Sequence, residues 1–171
     1  MIIGGLIDVH KAGVLTISDK GHKGERKDVS GDIITRILHR LEVVVACYEV
    51  VPDEESIIAN TLALWADKGD LDFIITTGGT GLSPRDVTPE ATRTIIDKEL
   101  PGMTELMRMH GYKKTPTAVL SRAVAGARGN CLIINLPGNP AAVEEYLELI
   151  VPIIPHAVDT LKGKITDHDN I

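Results

Sequence analysis

The sequence predicts an α/β fold in three layers, a largely parallel sheet with helices on both faces. Three observations predict it. Short apolar, β-branched runs alternate with segments whose apolar residues recur at helical spacing. The ends of four of those runs carry glycines, carboxylates and small polar residues, which a parallel sheet gathers on one rim. With 171 residues, 43% of them hydrophobic and 25% charged, the chain has enough core for one domain without a disulfide or metal staple. That domain is expected over 1–171, with its core at about 12–162 and a polar tail, KGKITDHDNI, that frays.

Each element has its own reason. AGVLTIS (12–18) is a short apolar run and reads as a strand, while the following DKGHKGERKDVSG is too charged for a core. Ser30 is expected to cap a helix running to about Leu41, with Ile33, Ile34, Ile37, Leu38 and Leu41 on one face. VVVACYEVV (43–51) is continuous and β-branched and reads as a buried strand, broken by Pro52-Asp53. A helix over about 54–67 places Ile57, Ile58, Leu62 and Trp65 on one side. Phe73 to Thr77 is a third strand, and GGTGLSPRDV a loop. Thr88 reads as the cap of a helix with Pro89 at its first position. A short helix follows at 102–110, then a turn at Arg128-Gly129-Asn130 and a strand from Cys131 to Asn135. Pro140 opens the last helix, which runs on or kinks past Pro152 and Pro155. Its Val143, Tyr146, Leu147, Ile150 and Val151, with Ile153, Ile154 and Val158 beyond, exceed what one core-facing stripe needs, so either a second face meets a neighbouring subunit or the helix is buried on two sides within the monomer.

Composition excludes several functions. Eighteen Lys and Arg against 24 Asp and Glu give a net charge of −6, so no global basic footprint for nucleic acid exists. Aromatics are 3% of the chain, too few for a base-stacking platform. Cys47 and Cys131 lie in apolar runs and read as buried thiols, and the six histidines lack metal-site spacing and read as structural. MIIGGLIDVHK has no secretory pattern and no run is long enough to cross a membrane, so a reduced, cytoplasmic compartment is expected.

TTGGTG (76–81) is the sharpest chemical signal. Gly78, Gly79 and Gly81 allow left-handed backbone and exposed N–H groups, a nest for anions and above all phosphates, and Thr80 and Ser83 add hydroxyls. Neither a Walker loop nor a GxGxxG fingerprint is present. Arg85 can fork onto a phosphate, and Asp86 can hold Mg²⁺ beside phosphate oxygens. Asp53 reads equally well as an ordinary helix cap, but paired with Asp86 across the rim it makes a two-carboxylate metal site. Ser121-Arg122 is either a substrate contact or a helix end. NLPGNP places Gly138 and Asn139 where helix N–H groups attract anions, or simply turns into a helix. Lys23, Arg26 and Lys27 form a solvated loop or an anion-guiding lip.

GGTGLSPRDVTPEAT, with the upstream VVPDEE and the downstream LSRAVAG and NLPGNP, closely resembles the Mog-type molybdopterin adenylyltransferases, whose fold is shared by the gephyrin G domain and MoaB-type proteins. The resemblance covers roughly residues 12–162 with every motif in order. It implies adenylylation of molybdopterin with ATP and Mg²⁺, release of pyrophosphate, a homotrimer, and hand-over of the product to a molybdenum-insertion protein. The family's two aspartates fall on Asp53 and Asp86, which would hold Mg²⁺, and its substrate serine falls on Ser121. Gly78, Gly79, Thr80 and Gly81 are implied to hold phosphate. Pro137, Gly138 and Asn139 are implied to line the nucleotide side, and Ser18-Asp19 matches the first-strand pair near the ligand. The stretch KGHKGERKDV departs from the family's loop, which is usually richer in serine and glycine. Two other readings compete: a catalytically silent pterin-binding or scaffold module, and a nucleotide pyrophosphatase like the competence-damage domains. The presence of both Asp53 and Asp86 favours the transferase.

Overall fold

The structure is a computed structural model, described here for residues 9–165. The first eight residues and most of the polar tail, expected to fray, lie outside the described residues. Strands β1 (Lys11–Ile17), β2 (Val44–Val51), β3 (Phe73–Thr77) and β6 (Cys131–Leu136) are parallel. Strands β5 (Ala125–Arg128) and β4 (Lys98–Glu99) extend the sheet antiparallel, in the order β2-β1-β3-β6-β5-β4. The helices are α1 (Asp19–His22), α2 (Val29–Arg40), α3 (Glu55–Asp67), α4 (Thr88–Ile95), α5 (Pro101–Tyr112), α6 (Pro140–Ile150) and α7 (Ile154–Leu161).

Alternation along the central strands divides the interior into two cores. Val14, Phe73, Ile75, Leu132 and Ile134 face α2, α5, α6 and α7. Leu15, Ile17, Ile74 and Ile133 face α3 and α4. Strands β1, β3 and β6 are covered on both faces, so they read as unbroken apolar runs. Sheet order places β1 between β2 and β3, and the crevice for a ligand opens where connections leave in opposite directions, beyond Ile17 and Thr77.

Several expectations are corrected. VVVACYEVV is an edge strand rather than a buried one, with Val44 and Tyr48 each nearly half exposed. A continuous apolar run cannot by itself distinguish an edge from a centre. Cys131 is buried, its thiol pushed up to about 12 by burial, whereas Cys47 on that edge is half-buried. Ser30 does not cap α2: Asp28 does, accepting the Gly31 amide at 2.9 Å, and the Ser30 hydroxyl donates to the Gly138 carbonyl at 3.0 Å. Nor does Thr88 cap α4; it is the first residue of that helix and its hydroxyl turns elsewhere. Leu41 and Ile57 are exposed although both share a predicted apolar face.

The last helix does break at Pro152, through a short 3-10 turn at Val151–Ile153. Most of its apolar surplus stays inside the chain, although Ile153 is exposed and Val151 only half-buried. Val143, Tyr146, Leu147, Ile150, Ile154 and Val158 are all buried, because the break lets α6 and α7 pack against the same core from two directions.

Candidate active site

The loop after β3 is held by its carbonyl groups. The Gly78 carbonyl accepts the Thr88 hydroxyl at 2.9 Å and the Gly79 carbonyl the Thr88 amide at 3.1 Å. The Thr80 carbonyl accepts the Arg122 amide at 2.9 Å, and the Gly81 carbonyl the Arg122 Nε at 2.8 Å. All four acceptors are thus taken up by Thr88 and Arg122. The amides of Gly79, Thr80 and Gly81 donate to nothing among the described residues. Backbone donors fixed in this way form a preorganised anion nest.

The glycines serve different ends. Gly78 and Gly79 have φ of 99° and 64°, conformations that exclude most side chains. A Cβ at Gly78 would also run into the Ile17 carbonyl, and one at Gly79 into the Thr88 hydroxyl. Gly81 is not left-handed; it makes room for Asp86, whose Oδ2 would lie 2.8 Å from a Cβ there.

Two carboxylates flank the nest. Asp53 follows β2 and does not cap α3. Its Oδ2 accepts the Asp19 amide at 2.8 Å, and Asp19 Oδ1 accepts the Asp53 amide at 3.1 Å, which locks the ends of β1 and β2 together. Asp53 Oδ1 has no hydrogen bond among the described residues and faces Gly79. Asp86 Oδ2 accepts the Ser83 amide at 2.8 Å, which also leaves its Oδ1 without one. Burial pushes the Asp53 carboxyl up, and the charges of Asp19 and Asp86 push the same way, against the pull of the Asp19 amide and Arg85. Among the described residues no cluster of three or more metal-binding side chains exists. A pair of carboxylates with free oxygens beside a nest of free amides has the chemistry of a hard-cation site that takes its remaining ligands from an anion and water.

The other expected residues divide. Arg85 does not reach the nest. Its guanidinium forks onto Asp19 at 2.8, 2.9 and 3.1 Å and holds that carboxyl below the ordinary carboxylate range. Ser18 caps α1, its hydroxyl accepting the Gly21 amide at 3.0 Å. Asn139 caps α6 and accepts the amides of Ala141 and Ala142 at 3.0 and 3.2 Å, so that helix end is self-satisfied. The Pro137 carbonyl accepts the Thr77 hydroxyl at 2.7 Å, and Gly138 lies so close that a Cβ would stand 3.4 Å from the Gly78 Cα.

Two cavities meet here. One, of about 710 Å³, holds Asp86, Ser121 and the nest on its walls. The other, of about 410 Å³, holds Ser18, Asp53, Arg26 and Lys27. Gly79, Gly138 and Asn139 border both. Sequence reasoning missed the part Thr88 plays and gave Arg122 no preference. Arg122 ties the loop to its surroundings: besides the Thr80 and Gly81 carbonyls it donates to the Asp86 carbonyl at 2.7 Å and pairs with Glu90.

Residues 13–156 match the family model described as a probable molybdopterin binding domain. The chain belongs to this molybdopterin-binding family. Among its curated relatives, a molybdopterin adenylyltransferase of Helicobacter pylori is 46% identical over 153 residues, covering 88% of this chain and 87% of that protein. A molybdenum cofactor biosynthesis bifunctional protein of Chlorobaculum tepidum is 38% identical over 153 residues, and there the match spans 49% of the longer protein. The crystal structure of the molybdopterin biosynthesis enzyme MoaB from Thermus thermophilus has 52% identity and a TM-score of 0.85, covering 93% of this chain and 100% of that one. The three-layer architecture, the nest and its flanking carboxylates therefore belong to a molybdopterin-binding family member.

Proposed function

We propose that this protein is a molybdopterin adenylyltransferase of molybdenum cofactor biosynthesis, transferring AMP from ATP to the phosphate of molybdopterin. The observation that carries this reading is the nest with its free amides at Gly79, Thr80 and Gly81, set where two cavities meet and between two carboxylates. Two anionic reactants need two compartments that share one electropositive seam. A phosphate oxygen of molybdopterin attacks the α-phosphorus of ATP, the new P–O bond forms, and the bond to the bridging oxygen breaks as pyrophosphate leaves. The attacking phosphate is already ionised, so no histidine or cysteine base is required. The chain's task is positioning and charge compensation. The loop amides would hold phosphoryl oxygens, and Ser121 faces the same cavity as Asp86. Asp53 and Asp86 would hold Mg²⁺, which supplies charge neutralisation for the phosphates and the departing pyrophosphate.

Three further readings go with this one. The protein acts as a homotrimer. The exposed apolar side chains Leu106, Met109 and Tyr112 on α5, with Val119 and Leu120 on the 3-10 turn Pro116–Leu120, support self-association. Light scattering should give a mass near three times 18.4 kDa, and a monomer at all concentrations sinks this part. The product passes to a molybdenum-insertion protein, a reading supported by the relative in which this region forms about half of a bifunctional chain. The compartment is cytoplasmic, in keeping with two free cysteines and with no described helix long and apolar enough to cross a membrane.

Pyrophosphate release from ATP and Mg²⁺, with and without molybdopterin, tests the activity. Release that needs both substrates supports the transferase. Molybdopterin binding without release makes the chain a silent binding module, and release from nucleotide alone makes it a pyrophosphatase.

A further inference from the structure

The larger cavity changes character along its length. At the nest it is lined by free amides and by Asp86. Farther along α6, at Tyr146, roughly 10 Å beyond Asn139 along the helix axis, the walls become Gly111, Ala118, Leu120 and Ala142. Lys114 also stands there, but its ammonium meets Glu145 at 2.9 Å, so this end offers an anion no unbalanced positive charge. A phosphate belongs at the nest, and an uncharged group at the far end.

Tyr146 is one of the uncharged polar groups of that end, where Thr115 and Thr117 also stand on the wall. The residue is 7% exposed, its ring packs into the core, and it borders the cavity. Its hydroxyl has no hydrogen-bond partner among the described residues. The hydroxyl oxygen is not sealed in the core but open to the cavity, so it can exchange hydrogen bonds with whatever occupies that space. The hydroxyl also occupies space that only glycine leaves open: a Cβ at Gly111 would overlap it. The α5 backbone therefore gives up a side chain at the point where the Tyr146 hydroxyl meets the cavity.

We infer that Tyr146 is a ligand-contacting, specificity-determining residue whose hydroxyl hydrogen-bonds the fused nitrogen heterocycle of the substrate seated in the larger cavity, in the space cleared by Gly111. The inference deepens the proposed adenylyl transfer and rests on it for the identity of the ligand. Purine and pterin share the needed chemistry, flat bicyclic rings with ring-nitrogen acceptors and amino donors. A phenol can serve either as donor or as acceptor.

The test is Tyr146→Phe, which keeps the ring and its core contacts and removes one oxygen. Calorimetry with ATP and, separately, with molybdopterin should show one of the two ligands weakened roughly twofold to twelvefold, the worth of one neutral hydrogen bond. Loss for ATP assigns the purine to this cavity; loss for molybdopterin assigns the pterin. The thermal midpoint should stay within about 2 °C of wild type, and KM for that ligand should rise with kcat unchanged, the mark of a contact made equally in ground and transition states. Unchanged affinity for both ligands in an active enzyme overturns the inference and leaves the proposed function standing. Wild-type protein that binds a ligand through Tyr146 yet releases no pyrophosphate overturns the function and leaves the contact standing. Wild-type protein that binds neither ligand overturns both.

Discussion

The Thr88 hydroxyl donates to the Gly78 carbonyl at 2.9 Å, which joins the first turn of α4 to the left-handed start of the glycine loop. Thr88 is fully buried, so the carbonyl has no water to turn to if the hydroxyl is lost. Thr88→Val keeps the shape and orphans that carbonyl, at a cost of about 1–3 kcal/mol. Urea unfolding should show this loss, and calorimetry a weaker ATP affinity, because the loop amides are then less well fixed. Thr88→Ser restores the donor and should recover most of both. Equal behaviour of the Val and Ser variants would reduce Thr88 to simple helix packing.

Gly79→Val should abolish ATP binding. The backbone there has φ of 64°, which a β-branched residue resists, and the new Cβ would run into the Thr88 hydroxyl. The strain also reaches stability, so the variant is expected to lose about 1–3 kcal/mol by denaturant titration. Wild-type ATP affinity in this variant would make GGTG a plain turn.

Asp53→Asn and Asp86→Asn separate charge from geometry. Each amide keeps an oxygen to accept its backbone donor, Asp19 N–H for position 53 and Ser83 N–H for position 86. The fold should therefore stand, with little change in thermal midpoint. Turnover, read as pyrophosphate release, should fall roughly a hundredfold, about 3 kcal/mol of transition-state stabilisation. The Mg²⁺ concentration for half-maximal rate should rise in both. Near-wild-type release from either variant removes that residue from the metal site.

What the sequence revealed and what it hid follow one rule. Strands β1, β3 and β6 were legible because burial on both faces leaves an unbroken apolar run. The nest was legible because two left-handed positions require glycine. Strands β4 and β5 were not, since KE and AGAR carry no strand period and exist by pairing beside β6. The edge position of β2 is a property of the sheet and not of VVVACYEVV. Thr88 was misassigned because a threonine before proline satisfies the rule for a cap, while its actual acceptor, the Gly78 carbonyl, becomes a neighbour only on folding. Arg85 and Arg122 were indistinguishable as cations near motifs. Folding commits the first to Asp19 and the second to the loop carbonyls and Glu90. Long-range partners of polar side chains are the part that local pattern cannot encode.

At the opposite end of the sheet from the nest, Asp72 fixes the start of β3. Its carboxylate accepts the Lys11 amide at 2.8 Å, lies 3.4 Å from His10 Nδ1 and pairs with Lys162 at the end of α7. Burial pushes this carboxyl up, but the Lys162 ammonium, the Lys11 amide and the charges of Lys162 and His10 outweigh it and hold it below the ordinary value. A carboxyl with a depressed folded pKa contributes stability that is complete above its unfolded pKa of about 3.9 and is lost as pH falls through the folded value. Asp72→Asn should therefore cost about 2 kcal/mol at pH 7, and the difference from wild type should shrink below about pH 4. Thermal unfolding from pH 3 to pH 7 measures it. ATP affinity at pH 7 should not change, because Asp72 precedes β3 and the nest follows it. A penalty that stays constant down to pH 3 would mean that Asp72 acts through shape rather than charge.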